Sequence, residues 1–530
     1  MRAFKNLLIL SHRYIGIPLS FMFALWFFSA YFMIYAGGMP RLTPAMQIDA
    51  AEPLALDKVS FMPAELAAAA DYVPSGATLR SVLGRPVYEL LTPGFPVDRY
   101  YADTGEFHPE LSEAESRQLA AEFLQVAPET LIFEREVFSP DQWTLTDSAA
   151  MPLYKYRLDD EARTEIYVSP GQARVVVATT AKSRMLAWLG TIPHWLYYEE
   201  LRLNQPLWYK IVVWLATIGC VLAVLGLALG VTQFRKNIRP FNLKRAIPYH
   251  GGLRWHYILG VVFGVFTFTW VFSGLVSMEP WAWTNARGLR VDETVFDGGE
   301  LDLAAFPNLN QPALAALLPA GTKSLEFVWK EGKPYLLANY SAPRRDTDAK
   351  RDRLHQPYNI NGQGQADTVL IDVGTMRVLP SLDHNELVAN LAEAVPQASI
   401  TETTLLTDYD DYYYSRQGEL PLPALRVKFD DPMQSWVYVD PQRGELLSII
   451  HKSSRVERWL YNGLHSLDFA FWYHKRPLWD IGVLILLTGG FLSSLLGLYY
   501  GLRRLVYDVQ GVLRQLSSFR KKGTPLDVTP

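Results

Sequence analysis

Four apolar runs set the first constraint on this 530-residue chain. They extend from about Leu8 to Tyr35, Leu207 to Val231, Trp255 to Met278 and Leu478 to Tyr500. A helix needs about 20 largely apolar residues to cross a bilayer. Backbone groups in hydrocarbon must pair within their own segment, so the runs are expected to be helices. The first is too long and too well flanked for a cleaved signal peptide and reads as an uncleaved span. The lipid bilayer is thus the first partner.

Lys and Arg cluster in the short segments. Arg2, Lys5 and Arg13 open the chain. Arg235, Lys236, Arg239, Lys244, Arg245 and Arg254 separate runs two and three, and Arg503, Arg504, Arg514, Arg520, Lys521 and Lys522 follow run four. The positive-inside rule puts all three on the cytoplasmic face, with both termini. The expected organisation is a span over 1–36, an external domain over 37–193 and an interfacial segment plus span over 194–233. A cytoplasmic loop over 234–254 and a span over 255–279 follow. A second external domain covers 280–464, an interfacial segment plus span 465–502, and a cytoplasmic tail 503–530. The net charge of −4 gives no reason to expect a nucleic-acid partner.

The chain also repeats itself. His12-Arg-Tyr-Ile-Gly16, Trp26 and Ser29 match His256-Tyr-Ile-Leu-Gly260, Trp270 and Ser273 at one offset of 244 residues. His194, Pro206-Leu-Trp208, Gly219, Gly226 and Gly230 match His465, Pro477-Leu-Trp479, Gly490, Gly497 and Gly501 at an offset of 271. Tyr167, Pro170 and Arg184 match Tyr438, Pro441 and Arg455 at the same offset. Two copies of one unit (span, external domain, span) are expected, parallel in the membrane about an axis along its normal. Glycines on spans two and four suit close helix approach.

The external segments alternate short strand-like runs with turns such as Asp103-Thr-Gly105 and Ser169-Pro-Gly171. Helical stretches at 111–125 and 384–395 precede strands, an α+β pattern with antiparallel pairing. Segment 341–366 reads as a long loop. The tract Thr407–Tyr414, acidic and aromatic, reads as an edge strand packing tyrosines on a sheet, with a ligand surface as the alternative. Cys220, the one cysteine, excludes a disulfide framework, a thiolate zinc cluster and a CxxCH haem attachment, and reads as a buried small hydrophobe.

Four of the ten histidines are duplicated between the halves. His12 and His256 lie in the first turns of spans one and three. His194 and His465 lie 12 residues before the Pro-Leu-Trp that opens spans two and four. An imidazole at the edge of hydrocarbon marks a functional candidate by default. Facing imidazoles in apolar surroundings suit a b-type haem iron, for which His is a standard axial ligand. Zinc fits less well, because neither level offers a duplicated carboxylate or thiolate. The symmetry predicts His12 opposite His256 around an inner haem and His194 opposite His465 around an outer one. His250 and His474 are alternative ligands. Arg184 and Arg455 suit haem propionates, or lipid headgroups. His108, His355 and His384 are expected at the surface or locally bonded, and Glu199 and Glu200 near the outer interface tune a ligand or face water.

No Rossmann fingerprint or P-loop appears, and the cytoplasmic segments are too small for a nicotinamide or flavin domain. NAD, flavin and ATP sites are therefore not expected. Electrons would come from a quinol or another protein.

These features resemble the PepSY-associated transmembrane protein family over nearly the full chain. The resemblance rests on the His12–Gly16 and His256–Gly260 motifs with their Trp and Ser. It rests also on the turns Tyr101-Ala-Asp-Thr-Gly105 and Tyr438–Gly444, and on Arg458-Trp-Leu-Tyr-Asn-Gly-Leu-His465-Ser-Leu-Asp-Phe469. One departure is a first-half counterpart of the Gly444 turn that looks compressed to Ser169-Pro-Gly171. The resemblance implies PepSY-like external domains and a place in iron–siderophore uptake, since some members resemble haem-containing inner-membrane reductases of ferric siderophores. It implies haem ligation by His12, His256, His194 and His465 in the bacterial inner membrane. The expectation is a di-haem oxidoreductase reducing a ferric chelate in the periplasm. A non-enzymatic scaffold or sensor and a small transporter are the alternatives.

Overall fold

A computed structural model describes residues 2–36, 38–70, 73–92, 94, 97–235, 242–282, 288–341, 367–414 and 420–522. Of the expected loop over 341–366, residues 342–366, with His355, lie outside them, as do Lys236 and Arg239. The chain divides into a helical unit, residues 1–35, 188–283 and 457–530, and a sheet unit, residues 36–187 and 284–456.

Among the described residues, four helices of the first unit are long and apolar enough to cross a membrane. They are Arg2–Ala36, Gln205–Gln233, Gly251–Ser277 and Leu478–Lys522. Asn204 caps the second, its side-chain oxygen accepting from the Leu207 amide. Leu19, Phe23, Phe27, Leu222, Trp270, Trp479, Val483 and Leu487 form their common core. Glycine allows this density: Gly490 packs against Phe27, and a Cβ on Gly219 would stand 3.1 Å from the Phe23 ring. The fourth helix is 45 residues long and runs far beyond Tyr500.

The sheet unit holds three antiparallel sheets. The first external segment supplies β1 (Gly76–Val82), β2 (Arg85–Leu91), β3 (Asp98–Tyr101), β4 (Leu131–Val137), β5 (Leu153–Leu158), β6 (Glu165–Ser169) and β7 (Arg174–Thr179). The second supplies β8 (Thr322–Lys330), β9 (Lys333–Tyr340), β10 (Asp367–Asp372), β11 (Arg377–Leu379), β12 (Ile400–Leu406), β13 (Ala424–Phe429), β14 (Trp436–Asp440) and β15 (Glu445–Ile450). Each segment closes a four-stranded sheet of its own, β4-β5-β6-β7 or β12-β13-β14-β15. Helices Glu113–Leu124 and His384–Glu393 precede these sheets, as expected.

The central sheet belongs to both segments. Its order is β11-β10-β9-β8-β1-β2-β3, with β1 pairing β8 from Ala77↔Phe327 to Arg80↔Ser324. Alternating burial along β1 puts Ala77 and Leu79 into a core shared with Leu325 and Phe327. The pairing satisfies the open edge that β1 and β8 would each carry alone.

Two expectations need correction. The β6–β7 turn is not compressed: residues 170–173 connect β6 to β7 and residues 441–444 connect β14 to β15, four residues each. Ala173 takes the positive φ (46°) at the last position, where the second turn has Gly444 (66°). The Thr407–Tyr414 tract is no edge strand beyond Leu406. Tyr413 nonetheless packs on a sheet face, stacked on Tyr438 at 4.9 Å.

Candidate functional site

The duplicated histidines meet in pairs. His12 and His256 have ring centres 6.4 Å apart, and His194 and His465 are 6.0 Å apart. On the first and third helices the two levels are 17 residues apart, His12 to Ser29 and His256 to Ser273. That is about 25 Å of helical rise. His250 is the exposed N-cap residue of the third span, and His474 is exposed against Tyr473. Neither joins a pair.

Hydrogen bonds orient three of the four rings. Ser29 Oγ donates its single proton to the Trp26 carbonyl at 3.0 Å. It also lies 3.0 Å from His194 Nδ1, and must accept there. Ser273 Oγ donates to the Trp270 carbonyl at 2.9 Å and lies 3.0 Å from His465 Nδ1. His465 Nδ1 also reaches the Trp270 carbonyl at 3.2 Å. His256 Nδ1 lies 3.0 Å from the Ser493 carbonyl, whereas His12 Nδ1 is buried without a hydrogen-bond partner among the described residues. A carbonyl only accepts. In His194, His256 and His465 the proton of the neutral imidazole therefore sits on Nδ1, and Nε2 carries the lone pair that ligates a metal.

The helices carrying the second pair are tied to the spans they precede. Trp208 Nε1 donates to the Trp195 carbonyl at 2.8 Å, and Trp479 Nε1 donates to the Leu467 carbonyl at 3.0 Å. Leu196 and Leu467, with φ of 54° and 51°, end the two short helices in the left-handed conformation.

The His12–His256 pair opens on a cavity of about 580 Å³ whose lining includes Gly226, Gly497, Arg13 and Arg503. A Cβ at Gly226 would stand 3.1 Å from His12 Cε1, and one at Gly497 would stand 3.2 Å from His256 Cε1. These glycines make room for imidazole. The repeated glycines signal this in the sequence, where they read as helix-packing positions. Ser29 and Ser273 belong to the repeated motif too, but only the structure gives them a role.

Two imidazoles bound in trans to one metal need about 2 Å per bond and about 1 Å from each nitrogen to its ring centre, about 6 Å in all. Both pairs meet that distance. Among the described residues no group of three or more His, Cys, Asp or Glu could hold a metal ion. A donor set of two imidazoles would suit a metal whose remaining ligands arrive with it, as in a tetrapyrrole.

Arg184 and Arg455 belong to the sheet unit. Arg184 donates to Thr179 Oγ1 and the Arg163 carbonyl and pairs with Glu165 at 3.3 Å. Arg455 donates to the Gln434 and Ile450 carbonyls, with its guanidinium 4.4 Å from the Trp436 ring centre. Both brace the last two strands of their own sheets. His108, expected at the surface or locally bonded, is buried beside Tyr101. Glu199 and Glu200 open the short helix Glu199–Leu203.

The sheet unit has a polar cavity of about 500 Å³ lined in part by Glu52, Arg80, Glu89, Glu122 and Arg443. Burial opposes ionisation of Glu89, but Arg80 and Arg99, each within 2.9 Å, hold its carboxyl down at about 2. Burial and the neighbouring Glu52 push Glu122 up to about 7.

No curated protein matches the chain. The family model described as the PepSY-associated TM region matches residues 10–350, which include three spans and the first sheet-forming segment. With four candidate spans around two histidine pairs, the chain is a multi-pass membrane protein, and it belongs to the PepSY-associated transmembrane family.

Proposed function

We propose that the protein is a transmembrane electron carrier with two b-type haems. His12 and His256 would hold one, and His194 and His465 the other. The observation that carries this reading is the pair of ring separations, 6.4 and 6.0 Å, at two levels of one helical bundle. When bound, haem supplies reversible one-electron chemistry at its iron. The chain's residues do the rest. The serines and main-chain carbonyls fix the tautomer and direction of the His194, His256 and His465 rings. Phe23, Phe27 and Trp270 pack the bundle and exclude water.

By the positive-inside rule both termini are cytoplasmic, and the sheets face the periplasm of a bacterial inner membrane. A quinol or a partner protein would supply electrons, and a ferric chelate, as in siderophores, would receive them. Reduction to Fe(II) weakens the hold of hard oxygen ligands, so release follows.

The two-copy architecture belongs to the same proposal. Its support is the shared offset of 271 residues between β5 and β13, β6 and β14, and β7 and β15. Arg184 and Arg455 bond to carbonyls at Arg163 and Gln434, again 271 apart. The sheets are read as PepSY-like domains of the two copies.

A second reading is a scaffold or sensor whose sheets bind a partner. The family match favours it, because it specifies a membrane protein and no redox chemistry. Visible spectroscopy separates the two. Protein expressed with ample haem should show a reduced-minus-oxidised b-type spectrum and two haem equivalents per chain. A colourless, folded protein would leave the scaffold reading.

A further inference from the structure

We propose that the fourth span continues beyond the bilayer as half of a parallel coiled coil with a second copy of this chain. The helix Leu478–Lys522 has 45 residues and no proline, about 67 Å at 1.5 Å per residue. Near one end, Asp480 accepts from the Tyr35 hydroxyl and pairs with Arg476. About 20 residues from there cross the hydrocarbon, which brings the chain to Tyr500 and then to Arg503 and Arg504. The rest continues past the end of the bundle where the first span begins, since Asp508 meets Tyr14 there.

That projection carries an apolar seam. Leu502, Leu505, Val509, Val512 and Leu516 follow one another at intervals of 3, 4, 3 and 4. This is the a/d pattern of a heptad, with Leu502, Val509 and Leu516 at a, and Leu505 and Val512 at d. All five are between 41 and 59% exposed. Val506 and Leu513, also exposed, widen one edge of the seam.

The charges fit a partner of the same sequence. Arg503, Arg504 and Arg514 fall at b, c and f, away from the seam. Asp508 at g is neutralised within its own chain, by Arg504 at 2.9 Å and the Tyr14 hydroxyl at 3.0 Å. A lipid surface fits less well. A straight continuation of a span cannot lie in the membrane plane, and a strict 3-4 repeat is the signature of a helical partner.

Copies in one membrane share an orientation, so a matches a and d matches d across a two-fold axis. A seam of just over two heptads is short for a free peptide. Here the span starts the helix, and confinement to the membrane raises the effective concentration.

The test uses the full chain in its membrane, with Cys220→Ser as background. Val509→Cys and Val512→Cys should cross-link on oxidation to a species of twice the chain mass, several-fold more than Gln510→Cys and Arg514→Cys. Equal yields at all four positions, or cross-links only to another protein, would overturn the proposal. So would a seam cysteine that reacts only with bilayer-partitioned reagents. In lipid nanodiscs the wild type should have the mass of a dimer, and Val509→Asp with Val512→Asp that of a monomer with unchanged thermal unfolding. A monomeric wild type would also overturn it.

Discussion

Behind the His194–His465 pair a serine hydroxyl accepts from each ring, whereas behind the His12–His256 pair the Ser493 carbonyl accepts from His256 and His12 Nδ1 is buried without a hydrogen-bond partner among the described residues. The difference follows from where each ring is mounted. His12 and His256 sit on span helices and lean against neighbouring spans, where the Ser493 carbonyl reaches His256. His194 and His465 sit on short helices outside the spans and reach back to the first and third, where Ser29 and Ser273 meet them. A serine that bonds its own i−3 carbonyl keeps an oxygen lone pair facing outward. Point substitution can therefore remove the support of one pair, while at the other it can only crowd the ring. The pairs also differ in room: the cavity lies at His12 and His256, beside Arg13 and Arg503.

The largest expected effect is loss of a whole haem. His12→Ala and His256→Ala should each remove the same one of two haem equivalents, and His194→Ala and His465→Ala the other. Haem content per folded chain checks this. Equal losses from His250→Ala or His474→Ala would break the pairing.

Crowding should act on one level only. Gly497→Leu places a branched side chain where a Cβ already stands 3.2 Å from His256 Cε1. More than half of the His12–His256 haem should be lost, with the other level spectroscopically intact. Equal loss at both levels would mean general misfolding rather than a local contact.

The serines should separate the two halves of the outer pair. Ser29→Ala removes the hydroxyl that accepts from His194 Nδ1 and should weaken haem retention about 10-fold, the lower end for a ligand's supporting contact. Ser273→Ala leaves His465 Nδ1 the Trp270 carbonyl at 3.2 Å and should cost less. Haem release to an apo-protein acceptor measures both. A larger effect from Ser273→Ala would overturn this account of the ring supports.

What the sequence made legible depends on the range of the interaction. Spans are local and follow from apolar length alone. The histidine pairs are distant but recur at fixed offsets, and repetition makes distant contacts visible. The β1–β8 pairing joins residues about 250 apart, and nothing in either strand names its partner, since Ala77, Leu79, Leu325 and Phe327 present similar alternating patterns. The end of the fourth helix was hidden for another reason. Arg503 and Arg504 mark where hydrocarbon stops, but helix propensity continues to Lys522. The β6–β7 turn misled because Pro170-Gly171 looks like a complete turn, while the positive φ falls two residues later on Ala173.

The smallest expected effect contrasts two carboxyls in the polar cavity of the sheet unit. Glu89 is held down at about 2, so its contribution is present above the ordinary carboxyl value, about 4.5, and lost as pH falls toward 2. Glu122 is raised to about 7, which reverses the sign. Its neutral form suits the fold, and ionisation between pH 4.5 and 7 costs stability as pH rises. Unfolding of the full chain, followed by tryptophan fluorescence, should shift a few degrees lower from pH 5 to pH 8. Glu122→Gln keeps a neutral side chain of the same shape beside Glu52 and should flatten that slope while leaving the acid limb unchanged. If the alkaline slope persists in Glu122→Gln, the titrating group lies elsewhere. If the acid limb moves with it, the two carboxyls are coupled across the cavity rather than governed by their separate neighbours.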